Sequence, residues 1–331
     1  MSTSAPSSVE PAGNGIFAID TGFHRARYDA AWLIVDAGRA AFIDTGTAHS
    51  VPRLMAALRW TGLRPDQVDW IIPTHVHLDH AGGVGTLLQH LPRASVLCHP
   101  RGVRHLVDPL ALWRSATAIY GQARMDAEYG GLEPVPAERI RATDDGEAVH
   151  LGERTLMFAH TPGHALHHHC IWDEATAGWF TGDTFGMALP EFRVDGRSFI
   201  IPATTPIQFE PEAMHASIDR LLRARPRAMY LTHYARLDDP AASGPRLHAL
   251  VDATVACALA MRADTDRSAA LARALLRTYV EAALAHGVAL PRERVEALLV
   301  DDAALNAAGL EVWLDSAAPD GPPPTRPSRE S

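Results

Sequence analysis

Histidine and aspartate side chains cluster where an apolar, strand-like run ends at residues 68–75. Four potential metal ligands stand within the six residues 75–80 at the end of this run, namely His75, His77, Asp79 and His80. Because four ligands so close together cannot share one face of a strand or helix, we expect a tight loop that wraps around whatever the four side chains bind. His75 and His77 can converge on one metal ion while Asp79 and His80 turn toward a second.

Three later candidates each follow another apolar run. They are His164 in HTPGH, Asp183 in TGD and His233 in LTHY. If one sheet edge gathers the ends of these strands, all seven side chains meet there. Neutral imidazole and carboxylate ligands suit zinc, iron or manganese. We therefore expect a centre for two divalent metal ions, with zinc preferred and iron or manganese as the alternatives.

The elements that must position these residues change in character near Pro240. Before it, short β-type runs alternate with helical stretches, which indicates an α/β or α+β domain. After it, the chain is rich in Ala, Leu and Arg, and apolar residues recur every four positions, which predicts at least two amphipathic helices and a third from about Pro291. We divide the chain into a disordered N-terminus (residues 1–14), a main domain (15–240), a helical extension (241–316) and a disordered tail (317–331).

Composition limits the classes of partner. The 331 residues are 47% hydrophobic, so the chain can bury a sizeable core. The net charge of -9 comes from 39 acidic against 30 basic residues, and the sequence contains no Lys. This balance provides no basic surface for nucleic acid or an anionic membrane. We expect a small-molecule substrate, with neither nucleic acid nor membrane as a partner.

Three cysteines, Cys98, Cys170 and Cys257, lie far apart and form no CxxC pair. This pattern argues against a disulfide framework and suits a reducing compartment. The first residues have no basic or apolar segment typical of a secretory signal. No apolar run approaches the roughly 18 residues of a membrane span. We therefore predict a cytoplasmic protein.

The motifs taken together resemble the metallo-β-lactamase-fold metallohydrolase superfamily, and most of all its glyoxalase II-like dinuclear branch. They are THVHLDHAGG from Thr74, TPGH ending at His164, TGD ending at Asp183, TH ending at His233, and IDTG around Asp44. The resemblance covers roughly residues 15–240. It implies an α+β fold, an αββα four-layer sandwich with the metals at the sheet edge, here followed by a C-terminal all-helical extension.

The resemblance also implies a role for each site residue. His75, His77 and His164 would bind the first metal, Asp79, His80 and His233 the second, and Asp183 both. Asp44 and His168 would support these ligands through hydrogen bonds. A hydroxide between the metals would attack the carbonyl of a small thioester, ester or lactone, and Asp79 would orient it and accept its proton.

Two alternatives stay open. Di-iron relatives that bind oxygen or nitric oxide usually carry Glu where His77 stands, so His77 favours hydrolysis without excluding iron. A ligand-sensing protein with a degenerate metal site is the second alternative. The absence of Lys also argues against the usual glutathione-binding pattern of true glyoxalase II enzymes.

Residues outside the motifs offer candidates for substrate contact. An insertion between residues 99 and 135 forms either a lid over the metals or a helical hairpin on the surface. We nominate Tyr120 in this insertion, and Tyr234 beside His233, as donors to the substrate. The helical extension is a cap, a lid or a dimerisation surface, and a homodimer through the C-terminal helices is the assembly that the sequence suggests.

Overall fold

The structure is a computed structural model that describes residues 5–204 and 208–316, apart from the side chains of residues 119 and 120. The tail predicted to be disordered, residues 317–331, lies outside these ranges.

A first sheet contains seven strands in chain order. They are β1 (Val9–Gly13), β2 (Ile16–Asp20), β3 (Ala30–Asp36), β4 (Arg39–Ile43), β5 (Val68–Ile72), β6 (Ser95–Cys98) and β7 (Ile140–Ala142). Strands β1 to β4 form an antiparallel meander, and β4 to β7 are parallel to each other. The sheet therefore changes from hairpin connections to crossover connections at β4.

A second sheet contains six strands in the order β15-β14-β11-β10-β9-β8. They are β8 (Ala148–Leu151), β9 (Arg154–His160), β10 (His169–Asp173), β11 (Gly178–Gly182), β14 (Ala228–Leu231) and β15 (Ala235–Leu237). Strands β12 (Met187–Ala188) and β13 (Ile200–Ile201) form a small separate ribbon. Since β10 is antiparallel to both β9 and β11, and β14 is parallel to β11, strands β9, β11 and β14 all run in the same direction.

The two sheets pack face to face around a buried core, as β3 illustrates. Trp32 and Ile34 point between the sheets, with Phe158 and Phe180 of the second sheet. The alternate side chains, such as Leu33, point outward beneath helices. A strand buried on both faces reads as a continuous apolar run, which is why AAWLIVD does not alternate.

Helices cover the outer faces. On the first sheet lie α1 (Val51–Trp60) and α3 (Val84–His90), and on the second lies α7 (Pro211–Arg223). The short α2 (Leu78–Ala81) carries part of the histidine-rich motif, and the 99–135 insertion contains α4 (Pro100–Val107), α5 (Leu110–Tyr120) and α6 (Gln122–Glu128). The predicted αββα sandwich is confirmed.

The predicted helical extension is also confirmed. It consists of α8 (Pro240–Ala260), α9 (Arg267–His286) and α10 (Arg292–Ser316). Its apolar residues Leu247, Tyr279 and Leu310 share one buried cluster with Met229 of β14 and Ile218 of α7. The core therefore continues without a break from the second sheet into the extension.

One predicted boundary needs correction. Residues 1–14 were expected to be disordered, but Val9–Gly13 forms β1 and pairs with β2. The side chain of Val9 is only 6% exposed and packs in the core of the first sheet. Backbone pairing at a sheet edge needs little from the side chains, so a segment rich in Pro and Gly can still form an edge strand. Within the described ranges, no helix is both long and apolar enough to cross a membrane.

Candidate metal centre

The seven predicted ligands meet at the ends of four strands. His75 and His77 follow β5, while Asp79 and His80 lie in α2. On the second sheet, His164 follows β9, Asp183 directly follows β11, and His233 follows β14. Because these three strands run in the same direction, their carboxyl ends lie at one edge of the sheet, opposite the loop after β5.

A first group of potential ligands consists of His75, His77, His164 and Asp183, with one nitrogen or oxygen atom of each within 4.8 Å of the others. His77 Nδ1 lies 2.9 Å from His75 Nε2 and 3.0 Å from His164 Nε2, and those two Nε2 atoms are 3.2 Å apart. Three ring nitrogens that face one another cannot all be satisfied by mutual hydrogen bonds, whereas a cation between them would accept all three lone pairs.

A second group consists of Asp79, His80 and His233. Asp79 Oδ2 lies 3.8 Å from His80 Nε2 and 3.6 Å from His233 Nε2. Asp183 stands between the groups: its Oδ1 is 3.2 Å from His80 Nε2, and its Oδ2 is 3.3 Å from His164 Nε2. Each group therefore faces one oxygen of the same carboxylate, the arrangement that a bridging ligand needs.

Two atoms at this junction support the fit of a cation. Among the residues that the structure describes, His80 Nε2 and Asp183 Oδ1 are buried and have no assigned hydrogen-bond partner, although they lie 3.2 Å apart. Buried polar atoms without partners are costly. Imidazole nitrogens and carboxylate oxygens are the donors that zinc, iron and manganese accept. The residues present could therefore hold divalent metal.

Three ligand histidines are fixed through the ring nitrogen that faces away from the centre. His80 Nδ1 donates to Asp44 Oδ2 at 2.8 Å, His164 Nδ1 to the Ala203 carbonyl at 3.0 Å, and His233 Nδ1 to the Tyr28 carbonyl at 3.3 Å. Because these oxygens accept the Nδ1 proton, the neutral form of each ring carries its lone pair on Nε2, toward the centre.

Asp44 links the two sheets beneath the centre. Its side chain is fully buried and accepts hydrogen bonds from the Thr74 N–H at 2.7 Å and the Thr232 hydroxyl at 2.7 Å, besides the one from His80. The two threonines stand immediately before the ligands His75 and His233. This geometry agrees with the supporting role that we expected for Asp44, and it adds Thr74 and Thr232, whose place before each histidine was a signal in the motifs.

His168 contacts both Asp183 and His75. Its Nε2 accepts from the Asp183 N–H at 3.2 Å, and its Nδ1 lies 2.9 Å from the Thr161 hydroxyl. Its ring stacks on that of His75, with centroids 4.8 Å apart. Burial, together with the neighbouring His164, holds the pKa of His168 well below the usual range. A neutral His168 can therefore accept from Asp183, as its supporting role requires.

Charges divide the centre into two parts. Burial, and then the other rings, hold the pKa values of His75 and His77 well below their usual range, so both rings are neutral and ready to bind a cation. Burial opposes protonation of His80 too, but Asp183 and Asp44 outweigh it and raise the His80 pKa. His80 and its neighbours also keep Asp183 ionised, with a pKa well below the usual range despite burial. Metal would thus displace a proton at His80.

The two nominated tyrosines have different outcomes. Tyr234 lies in the core between the sheets, only 4% exposed, and its hydroxyl donates to Glu10 Oε1 at 3.1 Å. This placement contradicts our expectation that Tyr234 contacts substrate, because its ring packs between the sheets and its hydroxyl is directed to Glu10. Tyr120 ends α5, and its side chain lies outside the described residues.

Comparisons with known proteins agree with the fold. The family model of the metallo-beta-lactamase superfamily matches residues 24–233, which is more than half of the chain. A metallo-beta-lactamase fold-containing protein of Sulfurisphaera tokodaii is 28% identical over 195 residues, covering 58% of this chain and 67% of its own length. A hydroxyacylglutathione hydrolase of Aeromonas hydrophila is 30% identical, covering 57% of this chain and 54% of that enzyme.

An acyl-coenzyme A thioesterase of Gallus gallus is 29% identical over 192 residues, covering 53% of this chain and 64% of the thioesterase. The chain thus spans about half to two thirds of the curated relatives it matches.

Solved structures support the same fold. A metallo-beta-lactamase family protein of Thermus thermophilus superposes with a TM-score of 0.64 at 20% identity, over 92% of this chain and 95% of the other. The Sulfolobus tokodaii protein gives a TM-score of 0.58 at 24% identity, over 71% and 85% of the two chains. With the matched family model and the strand-end ligand groups, these similarities lead to one conclusion: the chain belongs to the metallo-beta-lactamase superfamily.

Proposed function

We propose that this protein is a dinuclear metal-dependent hydrolase that cleaves a small thioester, ester or lactone. The observation that carries the proposal is the pair of ligand groups that share Asp183, with buried and unpartnered atoms at their junction. The names of two relatives, a hydroxyacylglutathione hydrolase and an acyl-coenzyme A thioesterase, describe hydrolysis of acyl compounds and support this reaction class.

The first group would hold one metal ion and the second group another, with Asp183 shared. Bound divalent metals supply a polarised carbonyl and lower the pKa of water from 15.7 to about 7. We prefer zinc, because five of the seven side chains are imidazoles, and keep iron and manganese as alternatives.

Asp79 is the carboxylate best placed to handle protons. Its side chain is 24% exposed, whereas that of Asp183 is 5% exposed. It faces the rings of His80 and His233 from the solvent side of the centre. We assign to the Asp79 carboxylate the roles of orienting the attacking water and accepting its proton, which need both access to solvent and proximity to the reacting atoms.

A buried apolar cluster joins the 99–135 insertion to the ligand loop. Leu78, between His77 and Asp79, packs in a cluster with Phe23, Met125 and Tyr129. Met125 belongs to the insertion helix α6, so the insertion lies beside the ligand loop.

Charge supports a small substrate over a polyanion. The chain carries a net charge of -9 and lacks Lys, so we propose neither nucleic acid nor a membrane as a partner. The absence of Lys also makes a glutathione thioester a weaker candidate than other acyl thioesters. A homodimer through the C-terminal helices stays a prediction.

A hydrolysis panel on zinc-loaded protein tests the proposal. The substrates are an acyl-coenzyme A thioester, an acyl-glutathione thioester, an acyl-homoserine lactone and bis-p-nitrophenyl phosphate. We expect turnover of at least one thioester or lactone, lost on chelation and restored by zinc. Activity on the phosphodiester alone would overturn the substrate class, and the absence of all turnover in a metal-loaded protein would favour a sensor.

A further inference from the structure

Helix α10 carries two buried polar residues one helical turn apart. Asp302 is 4% exposed and Asn306 is 1% exposed, and both lie among apolar residues such as Ala303 and Leu310. Polar side chains buried in an apolar helix bundle are costly unless they are hydrogen-bonded. Their partners therefore indicate what these two residues do.

Asn306 fixes residues 202–204, the segment whose backbone orients His164 of the first ligand group. Its Oδ1 accepts from the Thr204 N–H at 2.8 Å, and its Nδ2 donates to the Pro202 carbonyl at 2.8 Å. The residue between them, Ala203, accepts the Nδ1 proton of His164 through its carbonyl. Asn306 thus fixes both neighbours of the carbonyl that directs His164 toward the first group.

The same asparagine is tied to the other two helices of the extension. Its Nδ2 also lies 3.1 Å from the Tyr279 hydroxyl of α9, which in turn lies 3.1 Å from the Thr254 hydroxyl of α8. Tyr279 and Thr254 are fully buried. One buried network therefore connects all three helices with the segment that orients His164.

Asp302 reaches the second group through Tyr28. The Tyr28 hydroxyl donates to Asp302 Oδ1 at 2.5 Å. The Tyr28 ring lies against the ring of His233, with centroids 5.4 Å apart, and the Tyr28 carbonyl accepts the Nδ1 proton of His233. Fixing the far end of Tyr28 therefore fixes both contacts that this tyrosine makes with His233.

We propose that α10 positions both ligand groups, with Asn306 acting on His164 and Asp302 acting, through Tyr28, on His233. This inference rests on the proposed metal centre. It makes the helical extension a structural part of the site, because each arm ends on the outward-facing nitrogen of a different ligand.

Zinc binding to the full-length, chelator-treated protein tests the two arms separately. In a competition titration, Asn306→Leu and Asp302→Leu should each weaken one of the two zinc equivalents by about 10- to 100-fold, the usual effect of losing a residue that orients a ligand. Asp302→Asn keeps an acceptor for the Tyr28 hydroxyl and should bind zinc like the wild type. Asp301→Asn, at the exposed neighbouring position, is the matched control.

Ring-nitrogen NMR of the zinc-free protein gives a second readout that needs no metal. Asn306→Leu should change the ring signals of His164 and leave those of His233 in place, and Tyr28→Phe should do the reverse. The inference would be overturned if Asn306→Leu and Tyr28→Phe both left the ring signals unchanged and both kept wild-type zinc affinity.

Failure of the wild type to bind two zinc ions would instead overturn the proposed function, while the ring signals still decide the positioning. Circular dichroism checks folding. If Asn306→Leu does not fold, Asn306→Asp decides that arm by the same two readouts, since it keeps the acceptor for Thr204 and loses the donor to Pro202.

Discussion

Each histidine of the candidate centre has two ring nitrogens, and its surroundings decide which one faces the ligands. In His80 the choice is made by a carboxylate, Asp44, whereas in His164 and His233 it is made by backbone carbonyls. A carboxylate also contributes charge, so Asp44 both orients His80 and raises its pKa. The two kinds of anchor should therefore respond differently to substitution.

Replacing Asp44 by Asn tests this anchor. The amide keeps the shape but loses the charge, and its NH2 group would face one of the donors that now point at the carboxylate. We expect zinc affinity to fall about 10- to 100-fold. Competition with a chromogenic chelator measures the change, and wild-type affinity in the variant would contradict the role assigned to Asp44.

Replacing Asp183 by Ala removes the carboxylate between the two groups. We expect the loss of one zinc equivalent and a fall in hydrolysis of about 1,000-fold or more, because bound metals contribute several kcal/mol to such reactions. Elemental analysis and initial rates measure the two effects. Asp195→Ala, whose side chain is 87% exposed, serves as the control and should change neither. Full turnover in Asp183→Ala would exclude a shared carboxylate.

The sequence identifies the side chains of the centre better than their anchors. All seven proposed ligands lie in recognisable motifs, and the structure brings them together in two groups. Ala203 and Tyr28 accept hydrogen bonds from His164 and His233 through backbone carbonyls, which every residue type offers, so residue identity does not reveal these two contacts. Tyr234 shows the opposite error: its position beside His233 suggested a function, but its side chain is directed to Glu10.

At the scale of elements, the end of β11 depends on one glycine. Gly182, immediately before Asp183, has φ +46°, and a Cβ there would lie 2.6 Å from both His168 Nε2 and Thr74 Oγ1. The absence of a side chain therefore allows the strand end to approach the loop after β5 and His168 closely.

Gly182→Ala should reduce both stability and zinc affinity. The positive φ costs about 1–2 kcal/mol, and the crowding about 1–3 kcal/mol more. Gly146→Ala is the matched control, because Gly146 also has positive φ, +82°, but has no atom within 4 Å of an added Cβ. Urea unfolding of both variants separates the two costs. Equal losses in the two variants would show that crowding at the strand end is unimportant.

Elements with a strong apolar pattern are the ones that the sequence predicts well. The four-residue repeat of Leu247 and Val251 corresponds to α8, and AAWLIVD to β3. Strand β1 has no such pattern. Pairing with β2 and burial of Val9 stabilise it instead. The contacts of α10 with residues 28 and 202–204 span long sequence distances and leave no local signal.

At the scale of the whole molecule, the extension and the sandwich form one continuous core, and Asp302 is a charged residue inside it. Burial raises the pKa of Asp302 to about 6, above the ordinary value of 3.8. The raised folded-state pKa means that its contribution to stability is complete below pH 3.8 and is lost as the pH rises through about 6.

Asp302→Asn should remove this pH dependence. Between pH 4 and 7, the free energy of unfolding of the wild type, relative to that of the variant, should fall by about 2 kcal/mol. Urea unfolding of zinc-free protein at several pH values measures this difference, in which the other titrating groups largely cancel. A difference that stays constant with pH would show that Asp302 does not titrate in this range.

If the centre is dinuclear, hydrolysis requires both ligand groups to be filled together. Zinc titrated into chelator-treated protein, with thioester or lactone hydrolysis followed at each step, tests it most directly. We predict little activity up to the first equivalent and full activity only as the second is bound, with the same endpoint after repeated removal and return of zinc. Full activity at one equivalent, or in the zinc-free protein, would exclude a dinuclear mechanism.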